Sequence, residues 1–173
     1  IFTDLVNFTP QAKNLKADKV VKILNKLFKN FDDLTLKHGL EKIKTIGDSY
    51  FAAGGLAGNV QVAAKNTINL SKDMVKATNS LNDDTDFMDL QIRIGIHTGN
   101  VIAGIIGKNK FAYDLWGATV NFASRLESTC EPGKIQISED TKAIIGEKLD
   151  LESRKDVQMK GIGIINTYYL NYT

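Results

Sequence analysis

The sequence predicts an α+β fold with a ferredoxin-like βαββαβ core, an antiparallel-rich sheet that carries helices on one face. The first observation is a long helical pattern over residues 16–38, where apolar side chains recur every three or four positions until Gly39. The second is strict alternation over residues 90–96, where leucine and isoleucine alternate with polar or small residues. The third is the order in which strand-forming and helix-forming segments follow one another along the chain.

The core elements follow directly from this order. We predict a first strand at residues 1–5, the long helix, a hairpin at 40–53, a second helix at 59–81 and the strand at 90–96. In the turn after the first strand, Thr9 is a candidate N-cap and Pro10 suits the first position of a helix. Residues 82–86 are predicted to form a solvent-exposed polar turn.

The C-terminal half adds further elements. Residues 97–100 are predicted to turn the fourth strand into a hairpin arm at 101–106, and the polar and aromatic segment 108–117 is predicted to be irregular. The remaining predicted elements are a helix at 118–127, a strand at 134–138, a short helix at 139–147 and a closing hairpin of residues 156–160 and 166–171.

Composition limits the possible functions. The chain has 173 residues, 43% of them hydrophobic, which fits a single domain over residues 1–173. A formal net charge of +2 argues against a large nucleic-acid or membrane-surface footprint. The single cysteine, Cys130, excludes an internal disulfide and favours a reducing, cytoplasmic setting. Two histidines supply little for a His-based triad or a His-rich metal site.

The chain is expected to be a fragment of a longer protein. It opens without Met, inside an apparent strand, so we interpret it as an excised domain whose neighbours include an upstream sensor or membrane segment. No run reaches the roughly 18–20 apolar residues of a transmembrane helix, and no signal peptide is visible.

The central hairpin presents a carboxylate at its tip. The pair Gly47-Asp48 lies between two strand-forming runs, which is typical of a tight turn. Lys44 is four residues before Asp48, and even spacing on a strand places both side chains on one face. The two could simply form an ion pair. A second exposed carboxylate, Asp4, ends another strand-forming run, which favours a shared role for the two acids.

Two carboxylates at adjacent strand ends suit a divalent cation. Mg²⁺ accepts one or two protein carboxylates and completes its shell with water and substrate phosphate. Backbone amides in the turn after Asp4, around Phe8 and Thr9, could receive phosphate oxygens at the start of a helix. The alternative is that Phe8 is a core residue and Thr9 only a cap.

A third candidate group lies on the predicted helix at residues 118–127. Asn121 and Arg125 are four residues apart and therefore share one face of that helix. Arg125 could instead be paired with Glu127 or Asp114 for purely structural reasons. His97 could be catalytic, but no second base or nucleophile lies in its motif, so a hydrogen-bonded histidine at a strand end is favoured.

Four segments in this order resemble the class III nucleotidyl cyclase catalytic domain, of the adenylyl kind, over essentially the whole chain. The matching segments are Phe2-Thr3-Asp4-Leu5 with Phe8-Thr9, Lys42-Ile43-Lys44-Thr45-Ile46-Gly47-Asp48, Asp114-Leu115-Trp116-Gly117 with Thr119-Val120-Asn121 and Ala123-Ser124-Arg125, and Lys160-Gly161. The departures are Asn7, where the family commonly has Gly, and Ala118, where Asp or Asn is common.

The resemblance implies an adenylyl cyclase that makes cyclic AMP and pyrophosphate from ATP in a head-to-tail homodimer with two composite sites. It implies that one protomer holds two Mg²⁺ or Mn²⁺ ions and the other binds the nucleotide. The implied metal site comprises Asp4, Leu5 and Asp48. The implied nucleotide contacts are Lys44 and Asp114 to adenine, Asn121 and Arg125 to ribose and phosphates, Lys160 to the terminal phosphates, and the turn at Phe8 and Thr9.

The expected base follows from donor and acceptor chemistry. Adenine offers an acceptor at N1 and a donor at its 6-amino group, which match Lys44 and Asp114. Guanine reverses both, and the resemblance implies that guanylyl members carry an acidic residue and a small polar or Cys residue at these positions. The alternatives are a guanylyl cyclase, a catalytically silent dimerisation module and, remotely, an RNA-binding ferredoxin-like sheet, which needs sheet-face aromatics and a basic surface.

Overall fold

The computed structural model describes residues 1–82, 90–146 and 149–172. Its strands are β1 (Phe2–Val6), β2 (Glu41–Ile46), β3 (Ser49–Ala53), β4 (Gln91–Ile96), β5 (Ile102–Ile106), β6 (Ala112–Trp116), β7 (Ile135–Ser138), β8 (Leu151–Met159) and β9 (Gly163–Leu170). Its helices are α1 (Phe8–Ala12), α2 (Ala17–Lys37), α3 (Val60–Asn82), α4 (Ala118–Ser128) and α5 (Glu139–Ile145).

The predicted fold class is confirmed. Seven strands form one sheet in the order β2-β3-β1-β4-β7-β9-β8, and its first four strands are those of the βαββαβ core. Neighbours pair antiparallel except β4 and β7, which are parallel. The C-terminal hairpin of β8 and β9 extends the sheet and is longer than the sequence predicted.

The larger core lies between the sheet and helices α2, α3 and α5. Its fully buried side chains include Leu27 and Phe31 from α2 and Leu70 and Met74 from α3. Tyr50 of β3 is completely buried beneath them, and its hydroxyl donates to Asp32 at 2.8 Å. The apolar residues whose helical spacing is visible in the sequence are therefore those that α2 and α3 bury against the sheet.

Helix α4 packs on the opposite face of the sheet, so helices cover both faces rather than one. Ile94 and Ile96 belong to the larger core, whereas Gly95 between them faces α4. A Cβ at Gly95 would lie 2.2 Å from the backbone N of Glu127 and 2.5 Å from the carbonyl O of Ala123. Only a glycine lets the helix approach the strand this closely.

Three local predictions were wrong. The strand β5 pairs with β6 in a separate two-stranded sheet and not with β4, so the segment predicted to be irregular contains a strand. Helix α1 begins at Phe8, and its N-cap is Asn7 rather than Thr9. Asn7 has φ 57°, a left-handed conformation that Asn tolerates better than most residues.

Other predicted boundaries fall outside the described residues. The predicted polar turn at 82–86 and the predicted end of the short helix at residue 147 lie largely in the segments that the structure does not describe. Within the described ranges, no helix is both long enough and apolar enough to cross a bilayer.

Candidate active site

The structure brings the two candidate metal carboxylates together. Asp4 lies on β1 and Asp48 in the turn between β2 and β3, where Gly47 has φ 62°. Ser49 donates to Oδ1 of Asp4 at 2.7 Å. Burial raises the pKa of Asp48 above its ordinary value, and the neighbouring Asp4 carboxylate raises it further. A cation placed between these groups would relieve that repulsion.

Asp4 and Asp48 line one groove together with the turn at Asn7 and the start of α1. The side chains of Leu5 and Phe8 are 3% and 5% exposed and belong to the larger core. Phe8 is thus a core residue, and both residues can offer only backbone groups to a ligand. Thr9 is exposed at the groove.

The donor set fits a hard divalent cation. Among the described residues, no group of three or more His, Cys, Asp or Glu side chains gathers to hold a metal ion. Two carboxylates are the number of protein ligands typical of Mg²⁺ that also binds substrate phosphate and water. Asp4 and Asp48 therefore suit Mg²⁺ or Mn²⁺ better than they suit zinc, which favours Cys and His ligands.

The candidate base-reading residues form an ion pair. Lys44 of β2 donates to Oδ2 of Asp114 on β6, so its partner is Asp114 and not Asp48. Burial alone would raise the pKa of Asp114, but hydrogen bonds from Lys44 and from the backbone N–H of Leu115 hold it below its ordinary value. The side chain of Lys44 is 40% exposed and that of Asp114 is 16% exposed, which leaves the pair accessible from one side.

Helix α4 presents the candidate ribose and phosphate ligands. Asn121 is exposed and Arg125 is half-buried. The two carboxylates considered as structural partners of Arg125 are engaged elsewhere: Asp114 pairs with Lys44, and Glu127 pairs with Arg93. Arg125 is therefore not explained by either pairing.

Arg93 and Glu127 are site residues that the sequence reasoning missed. Arg93 of β4 lies directly opposite Asp4 in the β1–β4 pair, and its Nη2 donates to Oδ2 of Asp4 at 2.6 Å. The same Nη2 is 3.1 Å from Oε1 of Glu127 on α4. An arginine within the alternating strand was the available signal, but the strand pairing that places it beside Asp4 was not known.

Glu127 is a buried acid whose pKa is raised well above its ordinary value. The residue is 8% exposed. Burial raises its pKa to about 7 although the Arg93 guanidinium lowers it, and the carboxylates of Asp4 and Asp48 add to the increase. A buried carboxylate with such a pKa is a common feature of functional sites.

Lys160 does not join these groups within one chain. It is exposed at the turn that follows β8, and β8 is the edge strand opposite to β2 in the seven-stranded sheet. The strand that carries Lys44 and the strand that leads to Lys160 are thus at the two edges of the sheet.

His97 has a structural environment. Its Nδ1 lies 2.8 Å from Oγ of Ser138, and its ring stacks on Phe122 with centroids 4.3 Å apart. Burial lowers the pKa of His97, although the Asp140 carboxylate raises it. This is the hydrogen-bonded histidine that the sequence favoured.

Comparison with known proteins identifies the family. The model of the adenylate and guanylate cyclase catalytic domain matches residues 1–172. An adenylate cyclase of Mycobacterium tuberculosis is 35% identical over 98% of this chain, and the guanylate cyclase soluble subunit beta-2 of Rattus norvegicus is 34% identical over 98%. The chain spans 38% of the length of the first protein and 25% of the second.

Solved structures that resemble this chain also include both adenylyl and guanylyl cyclases. The adenylyl cyclase CyaB from P. aeruginosa superposes with a TM-score of 0.93 at 27% identity, covering 99% of this chain and 92% of the other. The guanylate cyclase domain of RhGC from Catenaria anguillulae, in complex with GTP, superposes with a TM-score of 0.89 at 31% identity, covering 98% and 93%. Relatives of both base specificities are therefore similar to this chain.

Proposed function

This chain belongs to the adenylate and guanylate cyclase catalytic domain family, and we propose that it is an adenylyl cyclase domain that converts ATP into 3′,5′-cyclic AMP and pyrophosphate. The observation that carries this choice is the Lys44–Asp114 pair. A Lys ammonium has three donors and the pair uses one, so Lys44 keeps donors for N1 of adenine. Asp114 can accept from the 6-amino group.

The same pair disfavours guanine. Guanine presents a donor at N1 and an acceptor at O6, so Lys44 would face an N–H and Asp114 would face a carbonyl. Each mismatch leaves a polar group without a partner, at a cost on the order of 1–3 kcal/mol. A guanylyl cyclase remains the competing proposal because relatives of both kinds are similar to this chain.

We propose that the active sites are composite and that the chain works as a head-to-tail homodimer. Support comes from the separation of Lys160 from the metal carboxylates within one chain, because Lys160 follows β8 at one edge of the sheet and Asp48 lies in the turn after β2, at the other edge. Support also comes from the β5–β6 hairpin, an apolar surface on which Ile102, Ile105 and Phe111 are 69%, 67% and 75% exposed. Such a surface is typical of an interaction site, and a symmetric dimer would use it twice.

In this proposal, each residue has a defined task. Asp4 and Asp48 hold the cations, with the backbone carbonyl of Leu5 as a further ligand. Bound Mg²⁺ or Mn²⁺ lowers the pKa of the ribose 3′-hydroxyl and neutralises phosphate charge. Arg125 of the partner subunit donates a planar fork of hydrogen bonds to phosphoryl oxygens, and the partner's Asn121 orients the ribose.

The remaining contacts fix the triphosphate. Backbone N–H groups in the turn at Phe8 and Thr9 would donate to phosphate oxygens, and Lys160 of the partner subunit would contact the terminal phosphates. Arg93 lies in the same groove as Asp4 and Asp48 and adds positive charge beside the triphosphate. No side chain has to act as a covalent nucleophile, because the ribose hydroxyl of the substrate attacks the α-phosphorus.

A direct assay tests the proposal. The purified domain is incubated with ATP or GTP and either Mg²⁺ or Mn²⁺, and both cyclic nucleotides are quantified. We expect cyclic AMP from ATP, little cyclic GMP from GTP, and loss of activity in Asp48→Ala. Preferential formation of cyclic GMP would favour the guanylyl alternative. A folded, dimeric domain that forms neither product would favour the silent module.

The parent protein is a separate proposal. The chain spans only part of its curated relatives, so we propose that a sensor or membrane domain precedes it and that the cyclase domain faces the cytoplasm. Nucleic acid is not among the proposed partners, since the net charge is only +2.

A further inference from the structure

We propose that Glu127 is a positioning residue that holds the guanidinium of Arg93 beside the metal carboxylates and thereby sets the affinity of Asp4 for the divalent cation. The inference rests on the proposed function, since it assigns a role at the same site. It concerns two side chains to which neither the motifs nor the comparisons assign a task.

The geometry makes Arg93 a bridge between two acids. Its Nη2 is 2.6 Å from Oδ2 of Asp4 and 3.1 Å from Oε1 of Glu127. Its Nε and Oε1 of Glu127 are both buried without a hydrogen-bond partner among the described residues, so the contact between Arg93 and Glu127 is an ion pair rather than a hydrogen bond. One guanidinium therefore lies between two carboxylates, and the shorter contact is made to Asp4, the proposed metal ligand.

The packing of α4 on β4 brings Glu127 close to Arg93. Arg93 and Gly95 are two residues apart on β4 and point to the same face, the face that α4 covers. The absence of a side chain at Gly95 lets α4 approach to a distance at which a Cβ would lie 2.8 Å from Cα of Glu127. Glu127 is thus held against the strand, 8% exposed, by this close approach of helix and strand.

The charges determine what Glu127 does. A cation on Asp4 would repel the neighbouring guanidinium, and Glu127 is the anion that can retain Arg93 when the cation takes its place on Asp4. When ionised, the carboxylates of Asp4, Asp48 and Glu127 together with Arg93 carry a net charge of −2 (three negative, one positive). Replacing Glu127 by Gln reduces this to −1 and leaves Asp4 as the ion-pair partner of Arg93 among the described residues, so the guanidinium competes more strongly with the cation for Asp4. Both effects weaken cation binding at Asp4.

The test compares Glu127→Gln with Glu127→Asp, which retains the charge, and with Glu152→Gln on β8 as a matched control at an exposed position. Mn²⁺ alone is titrated into each protein, and bound Mn²⁺ is measured by electron paramagnetic resonance. Cyclase activity is then titrated with Mn²⁺ at saturating ATP. We expect the Mn²⁺ concentration for half-maximal effect to rise roughly tenfold in Glu127→Gln, less in Glu127→Asp, and not at all in the control.

A double-mutant cycle shows whether Glu127 acts through Arg93. In an Arg93→Gln background, replacing Glu127 should weaken Mn²⁺ binding less than it does in the wild type, because the contact with Arg93 is gone and only the loss of one negative charge remains. An unchanged Mn²⁺ dependence in Glu127→Gln, with an active wild-type domain, would overturn the inference. So would equal effects of the Glu127 substitution with and without Arg93. An inactive wild-type domain would instead contradict the proposed function, and Mn²⁺ binding would still decide the role of Glu127.

Discussion

At the scale of single residues, the proposed choice of adenine as the substrate base rests on one ion pair. Lys44 and Asp114 come from two different sheets, since β2 belongs to the seven-stranded sheet and β6 to the separate hairpin. Their ion pair fixes both side chains before a nucleotide arrives, which lowers the entropic cost of ordering them on binding.

We predict that Lys44→Glu combined with Asp114→Cys weakens the use of ATP and permits some use of GTP. The reason is that Glu can accept from N1–H of guanine, while Cys no longer accepts from the adenine amino group. We expect kcat/KM for ATP to fall at least about tenfold, the equivalent of one lost hydrogen bond of about 1.4 kcal/mol. The measurement is kcat/KM for both triphosphates, and an unchanged preference for ATP would contradict the assignment.

A second residue-scale prediction concerns stability and pH. The pKa of Glu127 is raised from 4.5 to about 7 in the folded domain. Between these values the unfolded chain has released the proton while the folded domain retains it. Stability from this residue is therefore full below about pH 4.5 and is lost as the pH rises through about 7. The pKa of Glu127 is raised by burial and by the carboxylates of Asp4 and Asp48, and the Arg93 guanidinium lowers it.

Urea unfolding in EDTA at pH 5 and pH 7.5 measures this effect. Wild type should lose more free energy of unfolding between the two pH values than Glu127→Gln, by at most about 3 kcal/mol. Equal pH dependence in the two proteins would show that Glu127 titrates normally. Glu127→Gln should also be at least as stable as wild type at pH 7.5, so loss of metal affinity in this variant would not reflect unfolding.

At the scale of secondary-structure elements, the position of α4 decides whether the site exists. This helix carries Asn121, Arg125 and Glu127, and Gly95 lets it approach β4. The register of β1 against β4 then places Asp4 opposite Arg93. The close packing of one helix on one strand thus connects the metal carboxylates to the residues of α4.

We predict that Gly95→Ala destabilises the domain by about 2–3 kcal/mol and reduces activity by more than the loss of folded protein explains. The new Cβ would overlap the backbone of Glu127 and Ala123, so α4 has to move outward. Gly54→Ala, after β3, is the control, because its Cβ would meet side-chain atoms only, the nearest being Cγ of Leu40 at 3.0 Å. Thermal unfolding and activity per folded molecule are the measurements, and a Gly95→Ala domain with normal activity would contradict the role given to α4.

The elements differ in how far the sequence could predict them. The helices α2 and α3 and the strand β4 were predictable because their apolar spacing records burial against a core face. The strand β6 was not, because Tyr113, Asp114 and Trp116 give little apolar alternation and, among the described strands, β6 pairs only with β5. The cap at Asn7 was missed because its role is a left-handed backbone, φ 57°, without a side-chain cap hydrogen bond.

Some residues of the candidate site could likewise be predicted from the sequence and others could not. Local motifs pointed to Asp4, Asp48 and Arg125 because their spacing within one strand, turn or helix is visible in the sequence. Arg93 and Glu127 depend on strand register and on helix–strand approach, which the spacing of residues does not record. Pairwise contacts between distant segments are thus the part of the site that required the structure.

At the scale of the whole molecule, the central claim is that two chains build each active site. Within one chain, Asp4 and Asp48 share a groove, while Lys160 follows the strand at the opposite edge of the sheet from β2. The exposed apolar hairpin of β5 and β6 offers a surface for a second copy. A symmetric head-to-tail pair would complete two equivalent sites.

Mixing two inactive variants tests this claim most directly. Asp48→Ala removes a proposed metal ligand and Arg125→Ala removes a proposed phosphate ligand, so each homodimer should be nearly inactive alone. In a heterodimer, one site receives both defects and the other receives none. Random exchange of subunits at equal amounts should therefore restore about one quarter of the wild-type rate of cyclic AMP formation. No recovery at any ratio, with heterodimers detected by differential tagging, would contradict the composite site.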